Sequence, residues 1–421
     1  MKICMMTNTY LPHVGGVARS VSTFTEAYRR LGHEVLVVAP RFPGKTSRRA
    51  ETGVERVAAV QNFNGSDFSV RLPLAAALSG RIDGFAADIV HSHHPFLLGD
   101  TALRVAQGRK VPVIFTHHTR YEDYVHYVPG NSPALKQAAI ELSTTYANLC
   151  DGVIAPSDSI ARLIKRRGVH VPVAVVPTGI DAAAFASGDG ARARKRIGLP
   201  AGAFVAGHVG RLAPEKNLGY LGRALAELLR TEPSAWFLVI GSGPAEGELR
   251  DHCARAGVAD RLKLAGPLTG RRLHDAYRAM DVFVFSSQSE TQGLVITEAM
   301  AAGRPVVALR GPGVSDVVRP DRTGFLLPAK SPPDAFAAKL RELAGNRRLA
   351  RAMGRAAVAN DYSAERCAAR ALAFYEEIRR RTRPRRLLSR GNPWLALQER
   401  IGIEWKILAR NARAVTTALA S

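Results

Sequence analysis

The sequence predicts an α/β protein built as two doubly wound, parallel-sheet domains, and three observations lead there. A chain of 421 residues exceeds what one ordinary core organises and suits two domains of about 150 to 200 residues each. Short apolar runs alternate with helical stretches through the first half, which is the pattern of strands covered by helices on both faces of a parallel sheet. The same alternation starts afresh near residue 204, so the plan is used twice.

Taken in order, the first domain reads as strands at 2–6, 34–39, 88–91, 113–116 and 152–155, with a helix over 16–31 that ends on Gly32. The second reads as strands at 204–209, 236–240, 262–264, 282–286 and 306–308. The small, polar, glycine-bearing stretch 186–190 suits a linker, which divides the chain into an N-terminal domain over 1–186 and a C-terminal domain over 187–360. A helix over 361–378 follows and is expected to return toward the N-terminal domain. Residues 379–390 are rich in arginine, and Asn392-Pro393 pairs a capping side chain with a first-turn proline. Beyond it, Trp394, Leu397, Ile401, Trp405, Leu408, Ala412 and Val415 recur at three- and four-residue intervals, with Arg400, Lys406, Arg410 and Arg413 on the opposite arc. The tail over 379–421 therefore reads as a basic amphipathic helix, with a helix packed on its own domain as the alternative reading.

Composition narrows the function classes. A hydrophobic content of 46% supports a real core. Cys4, Cys150, Cys253 and Cys367 are far apart and form no C-x-x-C pair, which points away from zinc or disulfide frameworks and toward a reducing cytoplasm. No run of about 18 apolar residues is present to span a membrane. The net charge of +23 suits nucleic acid, an anionic membrane or a phosphate-rich substrate, and the tail over 379–421 holds eleven cations against Glu399 and Glu404, a net +9. No basic segment is interleaved with base-stacking aromatics, so nucleic acid is not the expected partner.

In doubly wound sheets, ligands gather at the carboxyl ends of strands, where loops and helix N-termini meet. Three segments stand there. Gly15 and Gly16 follow the first strand and let backbone amides approach an anion, although an ordinary strand-to-helix turn would read the same. Arg211 and Lys216 follow the strand 204–209 and can reach one diphosphate from two sides. Glu290 lies in the loop after the strand 282–286, Gly293, Leu294 and Val295 open a helix, and Glu298 lies near that helix's start. Carboxylates only accept hydrogen bonds, so the glutamates suit sugar and ribose hydroxyls, while helix amides suit phosphate. No Asp-x-Asp pair is present to hold a metal at a leaving diphosphate, so neither metal nor other cofactor is assigned, and two fixed cations are expected to serve instead.

These segments resemble the retaining glycosyltransferases of family 4, which have the GT-B architecture of two Rossmann-like domains with a donor cleft between them. The likeness runs over roughly residues 1 to 378 through Gly15-Gly16, Val176-Pro177-Thr178-Gly179-Ile180-Asp181 with Phe185, Gly210-Arg211 with Glu215-Lys216-Asn217, Gly241-x-Gly243-Pro244, and Glu290 with Glu298. It implies that Glu290 contacts the donor sugar, Glu298 the ribose hydroxyls, Arg211 and Lys216 the diphosphate, and that Gly16 faces it. It also implies that His118, in preference to His117, lies near the reaction centre, and that configuration is retained without an evident nucleophile. His91, His93 and His94 cluster at a strand end but read as structural in place of a metal site.

The segment around Tyr121, Tyr124, His126 and Tyr127 looks like the acceptor side of diacylglycerol glucosyltransferases, as does the stretch 90–99. The resemblance thus implies a UDP-sugar donor, UDP-glucose foremost, a lipid acceptor such as 1,2-diacylglycerol, and a cytoplasmic enzyme held peripherally at the inner face of the cell membrane. The basic tail would contact the anionic surface. An acceptor that is polyprenyl-linked or a soluble glycan is the alternative within the family.

Overall fold

The structure, a computed structural model, describes residues 1–13, 15–41, 52–60, 70–71, 79–127, 132–358, 362–390 and 393–419. It divides into two compact units, Met1–Gly179 with Ala364–Ser421, and Ile180–Ser363.

Unit 1 begins β1 (Lys2–Met6), α1 (Gly16–Arg30), β2 (Glu34–Pro40), β3 (Val54–Val57), with the short β4 (Ala59–Val60) and β5 (Val70–Arg71) pairing as a separate ribbon. It continues α2 (Ser79–Phe85), β6 (Ile89–Ser92), α3 (Leu98–Arg109), β7 (Val113–Thr116), α4 (Pro133–Leu149), β8 (Gly152–Ala155), α5 (Asp158–Arg166) and β9 (Val173–Val175). The seven parallel strands lie in the order β3-β2-β1-β6-β7-β8-β9. Because strand side chains alternate, Ile3, Met5, Val35 and Val37 feed the core on one face, and Cys4, Met6, Leu36 and Val38 the core on the other.

Unit 2 runs α6 (Ala182–Ala186), α7 (Gly190–Ile197), β10 (Phe204–Val209), α8 (Leu218–Thr231), β11 (Ala235–Ile240), α9 (Glu246–Arg255), β12 (Leu262–Leu264), α10 (Gly270–Ala279), β13 (Val282–Phe285), α11 (Leu294–Ala301), β14 (Val306–Leu309), α12 (Val314–Val317), β15 (Gly324–Leu327), α13 (Pro333–Gly345) and α14 (Arg347–Ala357). Its parallel sheet is ordered β12-β11-β10-β13-β14-β15. The stretch 186–190, expected as a linker, lies inside this unit and packs on α10. A Cβ on Gly188 would stand 2.4 Å from the His274 carbonyl oxygen and one on Gly190 2.2 Å from that of Arg278, so the glycines serve close approach.

Two long helices complete unit 1. α15 (Ala364–Arg390) runs on through Pro384 and the arginine run, where the sequence was expected to leave the helix at residue 378. Phe374, Tyr375 and Ile378 pack with Phe24 and Tyr28 on one face of the sheet. α16 (Pro393–Leu419) covers the other face, with Ile407 buried in its core and Ile403 against it. The tail is therefore not detached from its own domain. Nor is Arg410 on a solvated arc: it is 2% exposed, its guanidinium donating to Asp100 Oδ1 at 2.7 Å and to the Pro95 carbonyl at 3.0 Å. The periodicity was legible, but which of the helix's two apolar rows would dock was not, since Ile403 and Ile407 form a second row. The Asn392 cap and the side chains of Trp394, Leu397 and Arg400 lie outside the described residues. Among the described residues no helix is long and apolar enough to cross a membrane.

Candidate active site

Each sheet has its own point where strand order reverses: β1 beside β6 in unit 1, and β10 beside β13 in unit 2. Chains leaving neighbouring strands in opposite directions open a crevice at the carboxyl ends, where ligands of such folds bind. The expected site residues follow these strands, or in unit 1 the adjacent β7.

In unit 2, β10 leads through Gly210 and the half-buried Arg211 into a 3-10 turn, Pro214–Lys216, and then α8. β13 leads into Ser286-Ser287-Gln288-Ser289-Glu290. Serine hydroxyls tie the two segments together: Ser286 Oγ donates to the carbonyls of Lys216 and Asn217, both at 3.0 Å, and Ser287 Oγ to that of Glu215 at 3.2 Å. The clamp sets Lys216 Nζ against Glu290 Oε1 as a close ion pair, each side chain 17% exposed. The sequence assigned these groups separately, to phosphate and to hydroxyls; the structure joins them. Gly293 sits in the left-handed region at φ 74°, offers no side-chain cap to α11, and so leaves the amides of Leu294 and Val295 without an intrahelical acceptor. Glu298 is in the middle of that eight-residue helix, not near its start, and is 1% exposed. Its Oε2 accepts from Tyr277 Oη at 2.7 Å, which fixes the carboxylate's orientation.

In unit 1, Gly15 caps α1 without a side-chain bond and Gly16 is exposed. His118 follows β7, and its Nε2 is hydrogen-bonded to His93 Nδ1 at 2.8 Å, the rings stacking at 5.1 Å. His118 keeps part of its surface, whereas His117 is 2% exposed. Burial and then the surrounding imidazoles hold the His93 and His118 pKa values well below the usual histidine range, so the pair is neutral near pH 7. His91 belongs to a separate buried chain: Tyr28 Oη to Tyr375 Oη at 2.9 Å, Tyr375 Oη to His91 Nδ1 at 2.6 Å, and His91 Nε2 to Thr116 Oγ1 at 2.6 Å. His94 Nδ1 accepts from the Asn8 amide at 3.1 Å. Among the described residues no group of three or more His, Cys, Asp or Glu is arranged to hold a metal ion.

Tyr121, Tyr124, His126 and Tyr127 lie on one 3-10 segment, Tyr121–Tyr127. Glu122 anchors it, receiving Arg167 at 2.7 Å and Arg120 at 3.3 Å. Burial raises the Glu122 pKa, but its bond to Arg167 and the two guanidiniums outweigh that and leave it lowered. The side chains of His126 and Tyr127 are outside the described residues. Sequence reasoning missed Tyr277, Glu122 and the serine clamp. The serine run after a strand was a visible signal; Tyr277, 21 residues before Glu298, gave none.

Residues 14–184 match the model of glycosyltransferase family 4, and residues 189–359 that of the glycosyl transferases group 1. The chain is 30% identical over 338 residues to an alpha-monoglucosyldiacylglycerol synthase of Streptococcus pneumoniae, covering 77% of this chain and 75% of that one. This chain belongs to glycosyltransferase family 4. Within the family it is also 32% identical over 338 residues to a GDP-mannose-dependent alpha-mannosyltransferase of Mycobacterium tuberculosis, covering 78% of this chain and 84% of that one. The GT-B fold is that of sucrose-phosphate synthase from Thermosynechococcus elongatus, at a TM-score of 0.73 and 20% identity over 90% of this chain and 98% of that one. The two family-model matches fall one on each parallel sheet.

Proposed function

We propose that this family 4 glycosyltransferase moves glucose from UDP-glucose to a membrane lipid bearing a free hydroxyl, 1,2-diacylglycerol, retaining configuration and needing no metal. The observation that carries the donor half is the grouping at the strand reversal of unit 2: Lys216 paired with Glu290 beside the open first turn of α11. A diphosphate arriving there has a cation and helix amides to receive its charge, with Arg211 on the same segment as Lys216. In this reading Lys216 passes from the carboxylate to the phosphate as the donor binds, and Glu290 turns to the sugar hydroxyls. Glu298, held by Tyr277, accepts from the ribose. Gly15 and Gly16 leave room for the phosphates, and neutral His118, oriented by His93, serves as a hydrogen-bond partner near the reacting sugar. Tyr121, Tyr124, His126 and Tyr127 are assigned to the acceptor side. The protein then works at an anionic membrane surface, with its C-terminal helix as the contact.

The acceptor half and the choice of glucose rest on the likeness to the alpha-monoglucosyldiacylglycerol synthase. A second reading, mannosyl transfer from GDP-mannose, is favoured by the mannosyltransferase match of comparable identity. Purified protein offered UDP-glucose, UDP-galactose or GDP-mannose, each with diacylglycerol in detergent, a polyprenyl phosphate or a soluble glycan, separates these by product mass. A hexosyl-diacylglycerol formed from UDP-glucose, α-linked by NMR and undiminished by EDTA, is the expected result, with Lys216→Met lowering kcat/KM by about 100- to 1,000-fold. Product from GDP-mannose alone would replace the first reading with the second.

A further inference from the structure

α16 carries two apolar rows, and only one of them is used to hold it. Ile403, Ile407 and the buried Arg410 face unit 1, with Arg104 on Glu404 at 2.6 Å and Thr417 on Glu141 at 2.8 Å as further ties. At about 100° per residue, Ile401, Trp405, Leu408, Ala412 and Val415 fall on the opposite side. They are left in solvent: Ile401 is 50% exposed, Trp405 68%, Leu408 58% and Val415 58%. Of the seven large hydrophobics exposed among the described residues, four stand in this one row. It is about 21 Å long at 1.5 Å per residue, and the exposed Lys406 and Arg413 flank one side of it.

A helix already docked by one face normally turns a polar face outward. We infer that α16 is a rigidly mounted membrane contact, whose outward row Ile401, Trp405, Leu408 and Val415 inserts into the acyl boundary of an anionic bilayer while Lys406 and Arg413 reach its headgroups. The inference deepens the membrane-lipid reading above and rests on it. Charge selects the occupant: a second copy carries the same +23 and repels, whereas an anionic leaflet attracts the cations and takes up the apolar row. Nucleic acid offers no hydrocarbon for Trp405 and Leu408. Arg410, bound to Asp100 and Pro95, decides which row points outward.

The test uses the full chain and sedimentation with phosphatidylcholine vesicles, with and without about half phosphatidylglycerol. Trp405 fluorescence is read in a Trp236→Phe, Trp394→Phe background. The unmodified row is expected to bind the anionic vesicles with a blue shift of Trp405. Trp405→Ser with Leu408→Ser weakens binding about tenfold or more; Lys406→Gln with Arg413→Gln weakens it severalfold and removes the preference for anionic lipid. Both variants keep the parent's melting temperature and its turnover of detergent-solubilised acceptor. Vesicle binding by the serine variant equal to the parent's overturns the inference while leaving the reaction standing, and a dimer that it converts to monomer with binding intact reassigns the row to a second copy. Binding lost in the serine variant, in a protein that uses no lipid acceptor, sustains the inference and removes the reaction.

Discussion

A methyl group added at Gly16 would meet no atom within 4 Å, so nothing in the protein's own packing requires a glycine there. A glycine that stands out in the sequence can be explained by a neighbour's backbone, as are Gly188, between α6 and α7, and Gly190, at the start of α7. Gly16 has no such explanation, and at the first position of α1 alanine is the better helix former. Gly16→Ala is therefore expected to leave the melting temperature unchanged or slightly raised, while raising the KM for the sugar nucleotide about tenfold, on the order of 1.4 kcal/mol. Steady-state kinetics alongside calorimetry checks this; an unchanged KM would mean that the glycine leaves no room for donor phosphates.

At the scale of elements, the ends of β6 and β7 gather five imidazoles, and their burial has a pH consequence. Burial pushes His91 and His94 down to about 3 and His117 to about 4, and holds His93 and His118 low as well. In the unfolded chain each takes up a proton near its ordinary value of 6.5. Between these limits the unfolded state binds more protons, so stability is full above about pH 6.5 and is lost as pH falls toward 4. The melting temperature should hold level from about pH 7.5 to 6.5 and then drop steadily toward pH 5, and a flat profile would contradict neutral, buried histidines. The clusters also mark how far the sequence could be read. Strands such as 2–6 and 204–209 were legible because they are continuous apolar runs buried on both faces. β9 and β15, which end their sheets, were passed over although β12 and β8, of the same lengths, were read, so length does not separate them. Positions after strands nominated Lys216 and Glu290, which the structure brings together. Their pairing, the Tyr277 bond to Glu298 and the burial of Arg410 arise from segments distant in sequence, on which local pattern is silent.

For the whole molecule, the two C-terminal helices change what a truncation tests. Removing 393–421 uncovers the core at Ile407 and leaves Asp100 without its guanidinium. Exposing one such aliphatic side chain costs about 1.5–3 kcal/mol, and a half-buried carboxylate losing its partner adds to that. The truncated protein is expected to melt several degrees lower and to aggregate, whereas the surface substitutions at Trp405 and Leu408 do neither. Scanning calorimetry of both separates loss of fold from loss of membrane contact, and a truncation that melts like the parent would deny α16 its place in the core.

The discontinuity of unit 1 also orders events during synthesis. Unit 2 is one uninterrupted stretch, Ile180–Ser363, while the sheet formed by the first 179 residues waits for α15 and α16. At about 5–20 residues per second, the 240 or so residues in between occupy a ribosome for roughly 10–50 s. Through that interval the nascent N-terminal sheet has two faces without their last covering helices. Ribosome-stalled chains ending near residue 400 should therefore show a protease-resistant fragment from unit 2 while the first 179 residues are still digested, with resistance there gained only once α16 has left the ribosome.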